Sequence, residues 1–206
     1  MQLLTVLSKA ERTPGLIVPR LLLSQAALDM LTTYVNTPPR TEICGVAYVG
    51  RLDSSTFYVA DATDVFITEQ TVTVGSAHVS GHAFALAVDQ AAQDGRDDEL
   101  RLQWHSHPHE AYFSDTDMED VENFGVAGVE WFIRLVTNRD GDIRARFDRY
   151  RPERYGTEMD VVLYREPPQQ LQQYVKAKVD KHVTIQPTIV HRGISFGVST
   201  RKDTAR

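Results

Sequence analysis

Cysteine is almost missing from this chain of 206 residues, with Cys44 its one example. That scarcity excludes an internal disulfide framework and any cysteine-rich zinc ribbon. A bound metal would have to be held by histidines and carboxylates. Long apolar runs are missing too. The stretch Leu3-Leu4-Thr5-Val6-Leu7 is too short for the core of a signal peptide and has no basic residue before it. No run approaches the ~18 apolar residues that a membrane-spanning helix needs. A cytoplasmic location away from membranes is the expectation. Basic charge is also in short supply, with 22 Lys and Arg against 28 Asp and Glu, a net charge of -6. Such a balance argues against an electrostatic grip of the whole protein on nucleic acid. Phosphate-cradling glycine-rich patterns are absent, and so are the cysteine ligands of a zinc deaminase.

What is present reads as one domain with an appendage. The hydrophobic content of 42% and charged content of 24% suit a globular protein able to bury a core. Pro167-Pro168 marks the boundary, dividing residues 1–166 from a C-terminal extension, 167–206. The extension holds seven Lys and Arg against two acids, a net of +5, so residues 1–166 carry -11. Within it, residues 169–182 have the pattern of a helix with Leu171, Val175 and Val179 on one stripe. Residues 183–206 read as an extended arm or tail.

The order of elements in the first 166 residues predicts an α/β (α+β) domain, a mixed central sheet flanked by helices. Residues 16–18 read as a short strand closed by Pro19. Ser24 caps a helix carrying Ala26, Leu28, Met30, Leu31 and Tyr34, which Pro38-Pro39 ends. Extended segments follow at 42–49 and 56–60, and 65–67 continues the sheet. Residues 68–80 give no clear pattern. A second helix opens at Ser80 or Gly81, with Phe84, Ala87, Val88 and Ala91 on one face. Residues 100–104 form a strand and 116–124 a short helix. Strands at 130–137 and 143–150 flank a turn containing Asp140-Gly141, and 159–164 adds another.

The strand at 100–104 delivers the segment His105-Ser106-His107-Pro108. Residues two apart on extended backbone share a face, with Cα atoms about 6.6 Å apart, so both imidazoles can tilt toward one ion. A His-x-His pair alone is a weak signal, and solvated or structural histidines are the simpler reading of it. Ser114-Asp115-Thr116-Asp117 follows after a short loop. Ser-x-x-Asp at a helix start is a capping box, yet its position can also bring Asp117 over the strand end as a third ligand. Asp115 and Asp120 are alternatives to Asp117. His109 could add a ligand, although Pro108 should end the strand and leave His109 toward solvent or substrate. Two histidines and a carboxylate leave one position open around zinc, the arrangement of a catalytic site. Such a site needs a base. Glu42, heading the apolar strand Ile43-Cys44-Gly45-Val46-Ala47-Tyr48-Val49, is the candidate, or else a simple exposed residue at a strand start. Cys44, Trp104 and Trp131 read as core residues, His78 and His82 as surface.

Together, Thr41-Glu42-Ile43-Cys44-Gly45-Val46, His105-Ser106-His107-Pro108 and Ser114-Asp115-Thr116-Asp117 resemble the JAMM (MPN+, JAB-domain) metalloprotease family, of prokaryotic or phage type. Its pattern is an upstream Glu, then His-x-His-Pro, then Ser-x-x-Asp, and the resemblance spans roughly residues 16–165. It implies a single MPN/JAB-type domain and a zinc-dependent hydrolase of peptide or isopeptide bonds, one that removes or processes a ubiquitin-like modifier. It implies zinc on His105, His107 and Asp117, water activation by Glu42, and stabilisation of the oxyanion by Ser114. Partners would be a ubiquitin-like protein or its conjugates, with modifier-activating or conjugating enzymes nearby. The family also includes members without the metal site that serve as interaction scaffolds, and a phage tail-processing peptidase is a further alternative. One departure stands out: nine residues separate His107 from Asp117 where the family usually has ten.

Overall fold

The computed structural model describes residues 5–10, 17–38, 41–119 and 128–164. These form a mixed α/β fold around a curled ten-stranded sheet. The domain boundary at 167, the helix at 169–182 and the tail lie outside the described residues. No helix among the described residues is long and apolar enough to cross a membrane.

The curl originates in one long strand, β12 (Tyr155–Tyr164), preceded in chain order by β11 (Ile143–Arg149) and β10 (Trp131–Thr137). The first half of β12, residues 155–159, pairs antiparallel with β11. Its second half, residues 160–164, pairs parallel with β2 (Arg20–Ser24), and residues 161–163 also pair with β1 (Thr5–Ser8). One strand thus passes the sheet from one set of partners to another. On one side the order continues from β2 to β5 (Thr56–Val59) and β4 (Gly50–Arg51). On the other it runs through β11 and β10 to β9 (Leu100–Ser106), β3 (Cys44–Tyr48) and β6 (Val65–Phe66). A separate hairpin, β7 (Gln70–Thr73) and β8 (Ser76–Val79), occupies the segment that gave no clear pattern.

The first long strand differs from the expectation for residues 16–18: it begins after Pro19. Leu21, Leu22 and Leu23 are all buried. Leu21 and Leu23 join the main core, while Leu22 joins a second cluster with Tyr58, Val162 and Tyr164. A strand buried on both faces between two parallel neighbours reads as a continuous apolar run, and only the leucine run meets that need. Ser24 then caps α1 (Gln25–Asn36), its Oγ accepting from the Ala27 amide at 3.0 Å. Ala27, Leu31 and Val35 are the buried face of α1, with Leu28, Met30 and Tyr34 at its edges and Ala26 exposed. Ser80 caps α2 (Gly81–Gln93), which buries Ala83, Ala87 and Ala91 and leaves Val88 exposed.

The core forms where α1 meets both parts of the sheet, and Trp104 lies within it, 1% exposed. Along β9 burial alternates, with Leu100, Leu102, Trp104 and Ser106 inward and Gln103 and His105 on the opposite face. Gly45 faces Trp104 across the β3–β9 ladder. A Cβ at Gly45 would meet Trp104 Cε2 and Cζ2 at 2.6 Å and press on the Phe66 carbonyl oxygen. Gly45→Ala is therefore expected to destabilise the fold by about 1–3 kcal/mol through overpacking. Urea unfolding should show a lower midpoint at unchanged m-value; an unaltered midpoint would contradict this packing.

Candidate metal site

β9 is held on both sides near its end. His105 lies opposite Cys44 of β3 and beside Val136 of β10. The Ser106 amide donates to the Ile43 carbonyl at 2.8 Å, and Ser106 Oγ accepts from the Ile43 amide at 3.1 Å. The His107 amide donates to the Thr137 carbonyl at 2.8 Å. The backbone thus stays extended for one residue beyond the strand, and the two imidazoles converge. Their Nε2 atoms are 3.0 Å apart.

Asp117 completes the group from α3 (Asp115–Glu119). Its Oδ1 is 3.3 Å from His105 Nε2 and its Oδ2 is 3.7 Å from His107 Nε2. These three are a set of donors that can hold a metal ion, with ligand atoms within 4.8 Å of one another. Ligands about 2.0–2.1 Å from a tetrahedral zinc stand roughly 3.3 Å from each other. The two imidazole nitrogens at 3.0 Å and Asp117 Oδ1 at 3.3 Å from His105 lie near that value, with the other carboxylate oxygen 3.7 Å from His107, so the residues fit a small divalent cation. Two histidines and a carboxylate also supply the nitrogen and oxygen chemistry such an ion takes.

Ser114 fixes Asp117 through the capping box expected from the sequence. Ser114 Oγ accepts from the Asp117 amide at 3.2 Å, while Asp117 Oδ2 accepts from both the Ser114 amide and hydroxyl at 2.7 Å. Burial works to raise the Asp117 pKa. The hydrogen bond and charge of His105, with the two Ser114 bonds, outweigh it and hold the carboxyl well below the usual range. The His107 pKa is lowered by burial and by His105, against the pull of Asp117. Both shifts favour the ligand forms, an ionised carboxylate and a neutral imidazole.

A cavity of about 370 Å³ contains these atoms, and Glu42 and Ser114 line it too. Glu42 sits just ahead of β3, its amide donating to the Thr73 carbonyl at 2.9 Å. Through that bond the β7–β8 hairpin is tied beside the site, and residues 75–77 form part of the cavity wall. The Glu42 pKa is raised, chiefly by burial and further by the charge of Asp117, with His105 opposing. All five residues singled out from the sequence therefore share one cavity. His109 is exposed and does not line it; its carbonyl accepts from Asn138 Nδ2. Asp115 is exposed at the start of α3, outside the metal group, and Asp120 lies outside the described residues. The helix expected over 116–124 is described only over Asp115–Glu119. His78 and His82 are exposed, as expected of surface histidines.

Several residues of the site escaped sequence reasoning. Arg134, 3% exposed, donates from Nη1 to the Asp117 carbonyl oxygen and pairs with Asp148 Oδ2 from Nε and Nη2 at 3.1 and 3.0 Å. A charged residue inside the apolar run Trp131-Phe132-Ile133-Arg134-Leu135-Val136 was the available signal, since a buried charge needs a partner. Tyr112 stands edge-on to His107 with ring centroids 4.7 Å apart. The Gln70 side chain imitates a neighbouring strand, its Oε1 accepting from the Cys44 amide and its Nε2 donating to the Cys44 carbonyl. Cys44 touches the cavity but is buried, and burial together with the Glu42 charge pushes its thiol up to about 11. At pH 7.5 Cys44 should resist iodoacetamide in the native protein and react after denaturation, as mass spectrometry would register. Rapid native alkylation would show an accessible thiolate instead.

The mixed fold is similar to the solution structure of protein DSY2949 from Desulfitobacterium hafniense. The TM-score is 0.51 at 15% identity, covering 71% of this chain and 94% of that one. At that identity the likeness bears on the fold alone. No protein-family model and no curated protein matches the chain.

Proposed function

We propose that the protein is a zinc-dependent metallopeptidase of the JAMM type, with an MPN-like fold, that hydrolyses a peptide or isopeptide bond and releases or trims a ubiquitin-like modifier. One observation carries the reading: three convergent donors, His105, His107 and Asp117, share a cavity with a carboxylate, Glu42, that is not one of the three. Bound zinc supplies a Lewis acid and lowers the pKa of water toward neutrality. Glu42 accepts the proton of the attacking water and hands it to the leaving amine, and its raised pKa suits both directions of transfer. The Ser114 hydroxyl donates here to Asp117 Oδ2. It must turn from that acceptor to meet the developing oxyanion, where one donor is worth about 2.7–4 kcal/mol in comparable sites.

The test combines metal stoichiometry with cleavage. Protein purified without chelator should carry close to one zinc per chain and cleave fusions or conjugates of a ubiquitin-like protein. Chelation should abolish cleavage, and zinc should restore it. Because His107 must be neutral to bind and burial holds its pKa below the ordinary value, zinc should be released only as pH falls below the usual imidazole range. A chain that binds no zinc at neutral pH would remove this function and favour an interaction scaffold.

A further inference from the structure

At its start, β3 is covered by a strand on one edge only. β9 lies along one edge as far as Cys44, while β6, on the other, pairs with Val46 and Ala47 and stops there. Along extended backbone the amide and carbonyl of successive residues point to opposite edges. Those of Ile43 meet Ser106 on β9, so those of Cys44 point to the edge that β6 does not reach. Cys44 is 4% exposed, and a buried amide and carbonyl need partners. The Gln70 carboxamide supplies both. Its Oε1 accepts from the Cys44 amide at 3.0 Å and its Nε2 donates to the Cys44 carbonyl at 2.8 Å, the two bonds that a residue of a neighbouring strand would make. A further bond from Nε2 to the Thr68 carbonyl at 3.2 Å steadies the side chain.

Gln70 opens β7, and three residues on, the Thr73 carbonyl accepts from the Glu42 amide. The hairpin therefore holds the main chain at residues 42 and 44, and Ser106 holds Ile43 between them from the other side. Glu42 and Cys44, two apart, both line the metal cavity, and Cys44 lies opposite His105 in the β3–β9 ladder. The hairpin strands give nothing to the hydrophobic clusters, so these polar bonds carry the docking. Gln70 itself does not line the cavity. From this geometry we infer that Gln70 is a positioning residue for Glu42. Its carboxamide anchors the hairpin whose Thr73 carbonyl holds the Glu42 main chain, and so fixes where the Glu42 side chain starts relative to His105. Naming Glu42 as the base rests on the peptidase reading above; the anchoring rests on the hydrogen bonds.

The test uses the zinc-loaded full chain and two readouts, one of them free of turnover. Gln70→Met keeps the length of the side chain and removes both bonds to Cys44. Amide hydrogen exchange, read by NMR, should quicken by about tenfold at Cys44 and also at Glu42, while His107, bonded to Thr137, keeps its protection. In cleavage assays Gln70→Met should lower kcat by about 10- to 100-fold, the scale of a displaced catalytic group, with KM and zinc content unchanged. That loss should vanish once the base is gone: added to Glu42→Gln, it should change the residual rate by less than about twofold. Gln70→Asn, with the same carboxamide on a shorter stem, should show a smaller loss in the same direction and serves if the Met variant fails to fold. Unaltered exchange at Glu42 overturns the proposal, as does an equal loss of kcat in the Glu42→Gln background. A lower unfolding midpoint with kcat intact, or a raised KM alone, overturns it too. Faster exchange at Glu42 in a protein that cleaves nothing keeps the anchor and overturns the peptidase reading instead.

Discussion

Glu42→Gln is expected to slow hydrolysis by about 100- to 10,000-fold while leaving zinc content unchanged, the range a positioned general base contributes. The separation of effects follows from placement. His105, His107 and Asp117 form the metal group, and Glu42 lines the cavity beside it. Its main chain is tied to Thr73, so the side chain starts from a fixed point. Glutamine keeps the size of the side chain and removes its ability to take a proton, so neither packing nor the metal donors need change. The pH dependence gives a second readout. Burial and Asp117 hold the Glu42 carboxyl above its ordinary value. Activity that requires the ionised form is present above that pKa and is lost as pH falls through it. The Gln variant should lose the part of the acid limb that belongs to Glu42 and keep only the loss that follows zinc release. Full turnover in a zinc-loaded Glu42→Gln protein would remove Glu42 from the mechanism.

Local signals made the candidate site legible before the fold was. His105 and His107 were readable because a strand end fixes which residues share a face, and Ser114 with Asp117 because a capping box is a local device. The second helix was readable for the same reason, and its face largely so, since Ala87 and Ala91 are buried and Phe84 packs against a core cluster. Ala83 lies inward and Val88 outward, because small residues allow close approach to the sheet and an isolated exposed valine costs little. The curl of the sheet depends on contacts that no local window contains. Ala10 donates its amide to Asp160 Oδ1 across 150 residues of chain, and the short apolar stretch that carries β1 gives no local sign of its partner strand. The β7–β8 hairpin was equally obscure. Its strands alternate between half-buried and exposed and contribute nothing to the hydrophobic clusters, so hydrophobic periodicity had no grip on it. Arg134 and Asp148 sit on neighbouring strands two register positions apart, and their pairing needed the register to be known.

That pair is where stability and the metal site meet, and Arg134→Met should disturb both. Arg134 and Asp148 are each 3% exposed, with a salt bridge of 3.0 Å. Removing one partner of a buried pair costs about 3–5 kcal/mol because the other charge is stranded. Arg146 still reaches Asp148 at 2.9 Å, so the low end, about 3 kcal/mol, is expected. The same substitution releases the Asp117 carbonyl and the Phe113 ring, 5.3 Å from the Arg134 guanidinium carbon. The short helix carrying Asp117 would then be held chiefly by its own capping box. Loss of such outer support typically lowers metal affinity about 10- to 100-fold. Adding Asp148→Leu to Arg134→Met separates the two effects, since replacing both members of a buried ion pair by apolar groups is often neutral for stability. The double variant should regain most of the unfolding free energy and none of the zinc affinity, because the Asp117 carbonyl remains without its guanidinium. Urea unfolding and competitive zinc titration on the same preparations give the two readings independently. Recovery of zinc affinity alongside stability would mean that Arg134 acts on the site only by keeping the protein folded.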